Sequence, residues 1–278
     1  MAITIQTNMA SMQSQFELDK NQQALSSSFT KLSSGYRVNT AADDAAGLAI
    51  SESMKAQIRS YVVAERNAGD ATSMTQTAEG SLSQVHDILG RMRELAMESA
   101  NGSLGQTDRS YTDTEFQSLK AEIARIQGST EFNGNQLLAN APSVVTFQVG
   151  NNNTAADQIA VTFGNLNLTA LLSASNSVGG ATASAALASL SVIDNAIQTV
   201  STSRATYGAV MNRLSETTQS IETMRTNLTA ANSRIRDVDV ADETAKMSSE
   251  QVLTQAGVAV LAQANQIPQE ALSLIKGG

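Results

Sequence analysis

From Ile193 to Ile235 an apolar side chain returns every seventh residue: Ile193, Val200, Tyr207, Leu214, Ile221, Leu228 and Ile235. The companion column, Ile197, Arg204, Met211, Thr218, Arg225 and Asn232, is only partly apolar. One strict column beside one mixed column predicts a long helix with a narrow seam. In the N-terminal half, Met54, Tyr61, Ala68, Thr75, Leu82 and Leu89 form a second column beside Gln57, Ala64, Ala71, Ala78, Val85 and Met92. The small residues between 64 and 78 let a partner helix approach closely. A shorter helix is predicted over 108–128, where Phe116, Leu119, Ile123 and Ile126 keep helical spacing.

Between these helices the period shortens. "VVTFQVG" (144–150) and "QIAVTFG" (158–164) alternate or run β-branched on either side of "NNNTAAD", which predicts a β-hairpin with a loop longer than two residues. "NSVGGATASAA" (176–186) reads as a flexible small-residue linker leading back to the long helix. At the ends, Leu18, Leu25 and Leu32 are spaced by sevens. So are Leu253, Val260, Ile267 and Leu274, with Gly257, Ala264 and Ala271 between them. Residues 1–16 carry no charged side chain, and Glu270 is the one charge in 251–275. Both ends are therefore expected to be amphipathic helices with polar but uncharged outer faces. The expected fold is mainly α, with a small β-hairpin region in the middle.

Composition fits long helices. In 278 residues there are two prolines, and aromatics make up 4% with no Trp. That length allows one or two domains. A narrow seam of seven large side chains does not by itself offset the entropy of ordering some forty residues. More of the helix surface must be covered, by other helices of the chain or by other copies, which points toward assembly.

Charge and cysteine narrow the function. The chain holds 18 basic and 26 acidic residues, so it lacks the phosphate-neutralising excess that nucleic-acid binding requires. With no cysteine there is no disulfide, thiolate ligand or cysteine nucleophile. The N-terminus "MAITIQTNMASMQSQFELDK" has neither a basic n-region nor an apolar h-region, so no cleaved secretory signal is expected. No apolar run is long enough to span a membrane, and the terminal helices lack the Lys/Arg-rich face of a membrane-surface helix. No membrane insertion is expected.

Little in the chain suggests catalysis or a cofactor. His86 is the sole histidine and lies off the apolar columns, which reads as a solvated surface residue. HExxH, GxxxxGK and GxGxxG are absent. The Asn-x-Ser/Thr matches at Asn101, Asn152, Asn167 and Asn227 are unremarkable in an Asn-, Ser- and Thr-rich chain. "NTAADDAAG" (39–47) sets Asp43 beside Asp44, a pair able in principle to hold a metal or do acid–base work. The simpler reading is a helix start, with Thr40 and Asp43 at capping-box spacing and acids at the positive end of the dipole. "LGRMRELAMESAN" (89–101) reads as a solvated helical face with an Arg91–Glu94 pair.

Four stretches, in order, carry a resemblance: "KLSSGYRVNTAADDAAGLAI" (31–50), "GRMRELAMESAN" (90–101), "EFNGNQLL" (131–138) and "LAQANQIPQEALSLI" (261–275). Together the chain resembles a bacterial flagellin of short form, without outer variable domains. The resemblance implies a homopolymeric filament subunit whose N- and C-terminal segments pair as a long antiparallel helical bundle or coiled coil. Residues 1–44 and 236–278 would form an inner core domain, 45–235 an outer core domain, with Thr40, Asp43 and Asp44 at the connection. Leu18, Leu25 and Leu32 would pack with Leu253, Val260, Ile267 and Leu274 at the assembly interface, while small and amide residues meet neighbouring subunits.

The same resemblance implies export through the flagellar type III apparatus, a secretion chaperone on the C-terminal helices, a filament cap and hook-associated junction proteins. Its "RxRELA" helix implies an epitope for a vertebrate Toll-like receptor at Arg91 and Leu95, with Glu115 on the next helix. Two other readings compete with a filament subunit. A hook–filament junction protein would share the terminal heptads, and a small hydrolase would have to work with a lone histidine and no cysteine.

Overall fold

The computed structural model describes the backbone of residues 7–276 except 140 and 165, and side chains as far as residue 266. In chain order the helices are α1 (Met9–Ser34), α2 (Ala45–Ser99), α3 (Gln106–Ser129), the single turn α4 (Thr169–Leu172), α5 (Ser184–Arg236) and α6 (Val240–Lys276). The strands are β1 (Glu131–Phe132), β2 (Asn135–Gln136), β3 (Ser143–Gln148) and β4 (Gln158–Phe163). The chain divides into two compact units, Met1–Ala56 with Asn227–Gly278, and Gln57–Thr226. Both divisions fall inside α2 and α5, not at the helix ends.

In the central unit, heptad spacing and burial coincide. Ala64, Ala68, Ala71, Thr75, Ala78, Leu82, Val85, Leu89 and Met92 of α2 are all buried. So are Ile193, Val200, Tyr207, Leu214 and Ile221 of α5. The alanines lend the large α5 side chains the room they need, since a buried side chain must meet its neighbours at near-crystalline density. The helices run antiparallel, as Glu79–Arg204 (2.8 Å), Glu65–Arg225 (2.6 Å) and Arg93–Asp194 (2.8 Å) show. Pairs this exposed contribute at most ~1 kcal/mol each. They fix orientation more than stability.

The expected hairpin is present. β3 and β4 pair antiparallel from Ser143↔Phe163 to Gln148↔Gln158, with Ile159, Val161 and Phe163 facing the core at every second position. Phe163 packs against Tyr207, ring centroids 5.7 Å apart. A second hairpin, β1–β2, lies within "EFNGNQLL". There Asn133 and Gly134 both have positive φ, 50° and 79°, the backbone that a two-residue Asn-Gly turn requires.

Two expectations are corrected. The segment 176–186 is not a free linker. Asn176 and Val178 are buried, Ser99 Oγ donates to Val178 O at 2.5 Å, and Arg109 Nη1 reaches Ala181 O at 3.1 Å. Its small residues permit close packing. His86 is also not a solvated side chain: it is half-buried, and among the described residues its Nδ1 has no hydrogen-bond partner.

The alanine face of α2 generates a prediction. Ala71→Leu adds three carbon atoms where nothing is exposed, and should cost about 1–3 kcal/mol through overpacking. Thermal unfolding followed by circular dichroism should show Tm falling by several degrees. An unchanged Tm would mean that this face is not closely packed.

Candidate assembly surface

The terminal unit is built on α1 and α6, which lie antiparallel. Asn8 Nδ2 donates to Ala264 O at 2.9 Å, and Ser11 Oγ to Asn265 Oδ1 at 2.8 Å. Leu18 Cδ1 lies 3.3 Å from where a Cβ on Gly257 would stand. Asn8 also caps α1, its Oδ1 accepting from Ser11 N at 3.1 Å, so one residue starts the helix and ties it to its partner.

The least exposed positions of α6 are Glu243, Met247, Glu250, Thr254, Gly257, Leu261 and Ala264, spaced alternately by four and three. Those of α1 include Ser11, Ser14, Leu18, Asn21, Leu25, Ser28 and Leu32. The seam therefore mixes small and polar residues with half-buried leucines and Met247. Its most buried members are Ser28, Ala264 and Glu243, 3%, 5% and 6% exposed. Among the described residues, Glu250 Oε2 is buried without a hydrogen-bond partner.

Other large apolar side chains lie outside. On α1, Met9, Met12, Phe16 and Phe29 are exposed, Phe16 to 65%. On α6, Val252, Leu253, Val258 and Val260 are exposed, Leu253 to 49% and Val260 to 57%. This reverses the expected arrangement within the chain. Leu18, Leu25 and Leu32 are half-buried in the seam, but Leu253 and Val260 face away from α1. The glycine, alanine and amide positions sit in the seam, where a small residue lets the helices approach. The outer faces are mixed: exposed Met, Phe, Val and Leu stand beside Gln and Ser and beside charged Glu17, Asp19, Lys20, Asp242 and Lys246. The side chains of Ile267 and Leu274 lie outside the described residues.

Where α1 meets α2 and α5 meets α6, the two connections hold each other. Tyr36 bridges Asp237, Val238 N donates to Gly35 O at 3.0 Å, and Arg37 N to Arg236 O at 2.6 Å. Arg236 stacks over the Tyr36 ring at 4.4 Å and pairs with Glu52 at 2.5 Å. Asp43 and Asp44 divide the work of starting α2. Asp44 Oδ1 accepts from Gly47 N at 2.8 Å, which is the helix cap. Asp43 Oδ2 accepts from Asn39 N, Thr40 N and Thr40 Oγ1, closing the turn before the helix. Those bonds hold its carboxyl below the usual range, with the Thr40 backbone contact the largest cause. Thr40 and Asp43 thus shape the approach, and Asp44 caps α2. Among the described residues no cluster suits a metal ion.

On α2, Arg91 forms a two-point ion pair with Glu115 of α3 (2.8 and 3.2 Å) and a third bond to Glu94 at 3.0 Å. These partners, Glu115 first, raise its pKa above the ordinary arginine value. Arg91 and Glu115 are exposed, whereas Leu95 is 1% exposed and packs inward. Only two of the three expected epitope residues are presented.

Sequence reasoning missed the exposed apolar set on α1 and α6. One signal for it existed: uncharged stretches at both ends that hold Met, Phe and Val outside the heptad columns.

The comparisons with known proteins agree with this architecture. A family model describing the bacterial flagellin N-terminal helical region matches residues 5–142, and one describing the bacterial flagellin C-terminal helical region matches residues 190–275. The flagellin of Halalkalibacterium halodurans is 44% identical over 246 residues, 88% of this chain and 90% of its own. That of Bacillus subtilis is 40% identical over 305 residues, 98% of this chain and 99% of its own. A solved structure described as a flagellar hook-associated protein from Vibrio parahaemolyticus superposes with a TM-score of 0.59 over 70% of this chain and 100% of that one. At 16% identity this is a likeness of fold.

The contact between Leu18 and Gly257 is open to test. Gly257→Val puts branched carbon where Leu18 now sits, a conflict of about 1–3 kcal/mol. Amides around Leu18 should then exchange with solvent at least about tenfold faster, with those of 57–226 unchanged. Equal protection of α1 in both proteins would show that the notch does not seat it.

Proposed function

The chain belongs to the bacterial flagellin family, and on that premise we propose how its terminal helices serve the filament. It is a structural subunit of the bacterial flagellar filament, and its relatives are flagellins and filament core proteins. That pattern does not favour the hook–filament junction reading. The residue assignment rests on one observation: the α1–α6 pair leaves a second set of large apolar side chains exposed, Met9, Met12 and Phe16 on α1 and Leu253 and Val260 on α6 among them.

Each such side chain gains ~1.5–3 kcal/mol on full burial, and a contiguous exposed apolar patch marks an interaction surface. Leu253 and Val260, with Met9, Met12 and Phe16, are assigned to contacts between copies. Leu18, Leu25 and Leu32 are assigned to holding α1 on α6 within each copy. Ile267 and Leu274 continue the α6 heptad and go with the first group. Residues 1–44 and 236–278 act as the inner core domain, 45–235 as the outer core domain, with the Thr40–Asp44 turn between them.

The remaining partners follow from the same family premise. The subunit travels through the flagellar type III export apparatus. A secretion chaperone covers the apolar C-terminal helix until then, a cap protein guides insertion, and hook-associated proteins join the filament to the hook. A vertebrate Toll-like receptor would meet Arg91 and Glu115 at the surface, with Leu95 supporting the helix from beneath.

Two measurements separate these assignments. Val260→Asp should abolish seeded polymerisation, because an unpaired carboxylate would be desolvated between copies, while 57–226 keeps its helical signal. Normal filaments from that variant would remove Val260 from the interface. Arg91→Ala should lower signalling by receptor-bearing cells at equal protein concentration while filaments still form. Undiminished signalling would exclude the Arg91 epitope.

A further inference from the structure

The 173–181 connector contains no ionisable side chain, and none lies anywhere between residues 158 and 193. Yet it is held by a charged stripe. Arg109, Asp113, Gln117 and Lys120 are spaced by four, four and three along α3, and all reach the connector. Lys120 Nζ donates to Ser173 O and Asn176 O, both at 3.0 Å. Gln117 Nε2 donates to Asn176 O at 3.1 Å and to Asp113 Oδ1 at 3.2 Å. Asp113 Oδ1 accepts from Ser177 Oγ at 2.8 Å and Val178 N at 2.9 Å. Arg109 donates to Ala181 O at 3.1 Å, Ser99 O at 2.9 Å and Asn101 O at 3.0 Å. Apart from Ser177 Oγ, every connector atom in this set belongs to the main chain.

We propose that Arg109, Asp113 and Lys120 form an electrostatic latch that grips the connector by its main chain and releases it as one unit when Asp113 loses its charge. Asp113 is the one carboxylate in the set, and its field offsets the buried ammonium of Lys120. Without it, two buried cations face carbonyl dipoles alone, and an uncompensated buried charge is costly. Release propagates because Ser189 Oγ of α5 bonds Ser177 O at 2.8 Å, and Ser99 Oγ of α2 bonds Val178 O. Breaking the grip therefore frees the first turns of α5.

No other charge in the surroundings substitutes for Asp113. On α2 and α5, Arg91, Arg93, Glu94 and Asp194 are paired at the surface, with Glu115 of α3 completing that set. Glu98 is exposed. Burial pushes the Asp113 carboxyl up, and hydrogen bonds from Ser177, Val178, Gln117 and Gly179 together push it down further, below its ordinary 3.8. The latch is complete above that ordinary value and is lost as pH falls through the lowered one.

Amide hydrogen exchange on the full chain at pH 7 tests the latch, with Asp113→Asn standing for the uncharged state. Amides of 173–190 should exchange at least about tenfold faster than in the native protein, and those of 193–221 should not change. Asp87→Asn, which removes an exposed carboxylate on α2, should leave both regions as they are. Ser177→Ala, which keeps every charge, should give a smaller acceleration confined to the connector. Unchanged connector exchange in Asp113→Asn would overturn the proposal. So would acceleration spread evenly over 57–226, because that is global destabilisation and not release of one element.

Discussion

The structure depends on how α1 and α6 divide their side chains between a shared seam and the outside. In a stable two-helix pair the larger apolar residues meet in the seam. Here half-buried Leu18, Leu25, Leu32, Met247 and Leu261 share the seam with Ser11, Ser14, Asn21, Ser28, Glu243, Thr254 and Gly257, while Phe16, Leu253 and Val260 face outward. Hydrophobic burial between α1 and α6 is correspondingly incomplete, and the unsatisfied Oε2 of Glu250 adds to the cost of closing the pair. The helices are positioned by end contacts such as Asn8 with Ala264 O and by the Leu18–Gly257 notch. The stabilisation that burying the outer apolar side chains would offer is not realised within this pair.

The central unit follows the opposite rule. Its heptad columns are buried within the chain, alanine against large side chain, and the hairpin adds Phe163 against Tyr207. One protein thus combines a body that completes its own core with a terminal pair that does not. This division fits the proposal that the terminal helices make the contacts between subunits.

The two rules explain what could be read from the sequence. α5, α2 and the β3–β4 hairpin were legible because spacing equals burial when the partner is in the same chain. α6 was legible as a helix but not in its orientation. Two heptad columns run along it, Leu253–Val260 and Gly257–Ala264, and hydrophobicity alone selects the larger one as the inward face. That choice fails here, because the larger column is exposed and the smaller one faces α1. The connector was illegible for another reason: apart from Ser177 Oγ, Arg109, Asp113 and Lys120 hold it by its main chain, which its residue types do not reveal. The β1–β2 turn, by contrast, was written plainly as Asn133-Gly134, and the short strands around it hid it. On α2 and α3 the sequence located Arg91 and Glu115 but could not show that Leu95 turns inward.

Because the chain contains no cysteine, one introduced thiol reports on one position. The central claim is that the outer face of α6 is free in the subunit and covered in the filament. The most direct measurement is the rate of thiol labelling of Val260→Cys in monomer and polymer, with Glu131→Cys on the central unit as reference. The account predicts rapid labelling of position 260 in the monomer and strong protection in the filament. Equal labelling of position 260 in both states, in filaments of normal morphology, would contradict it.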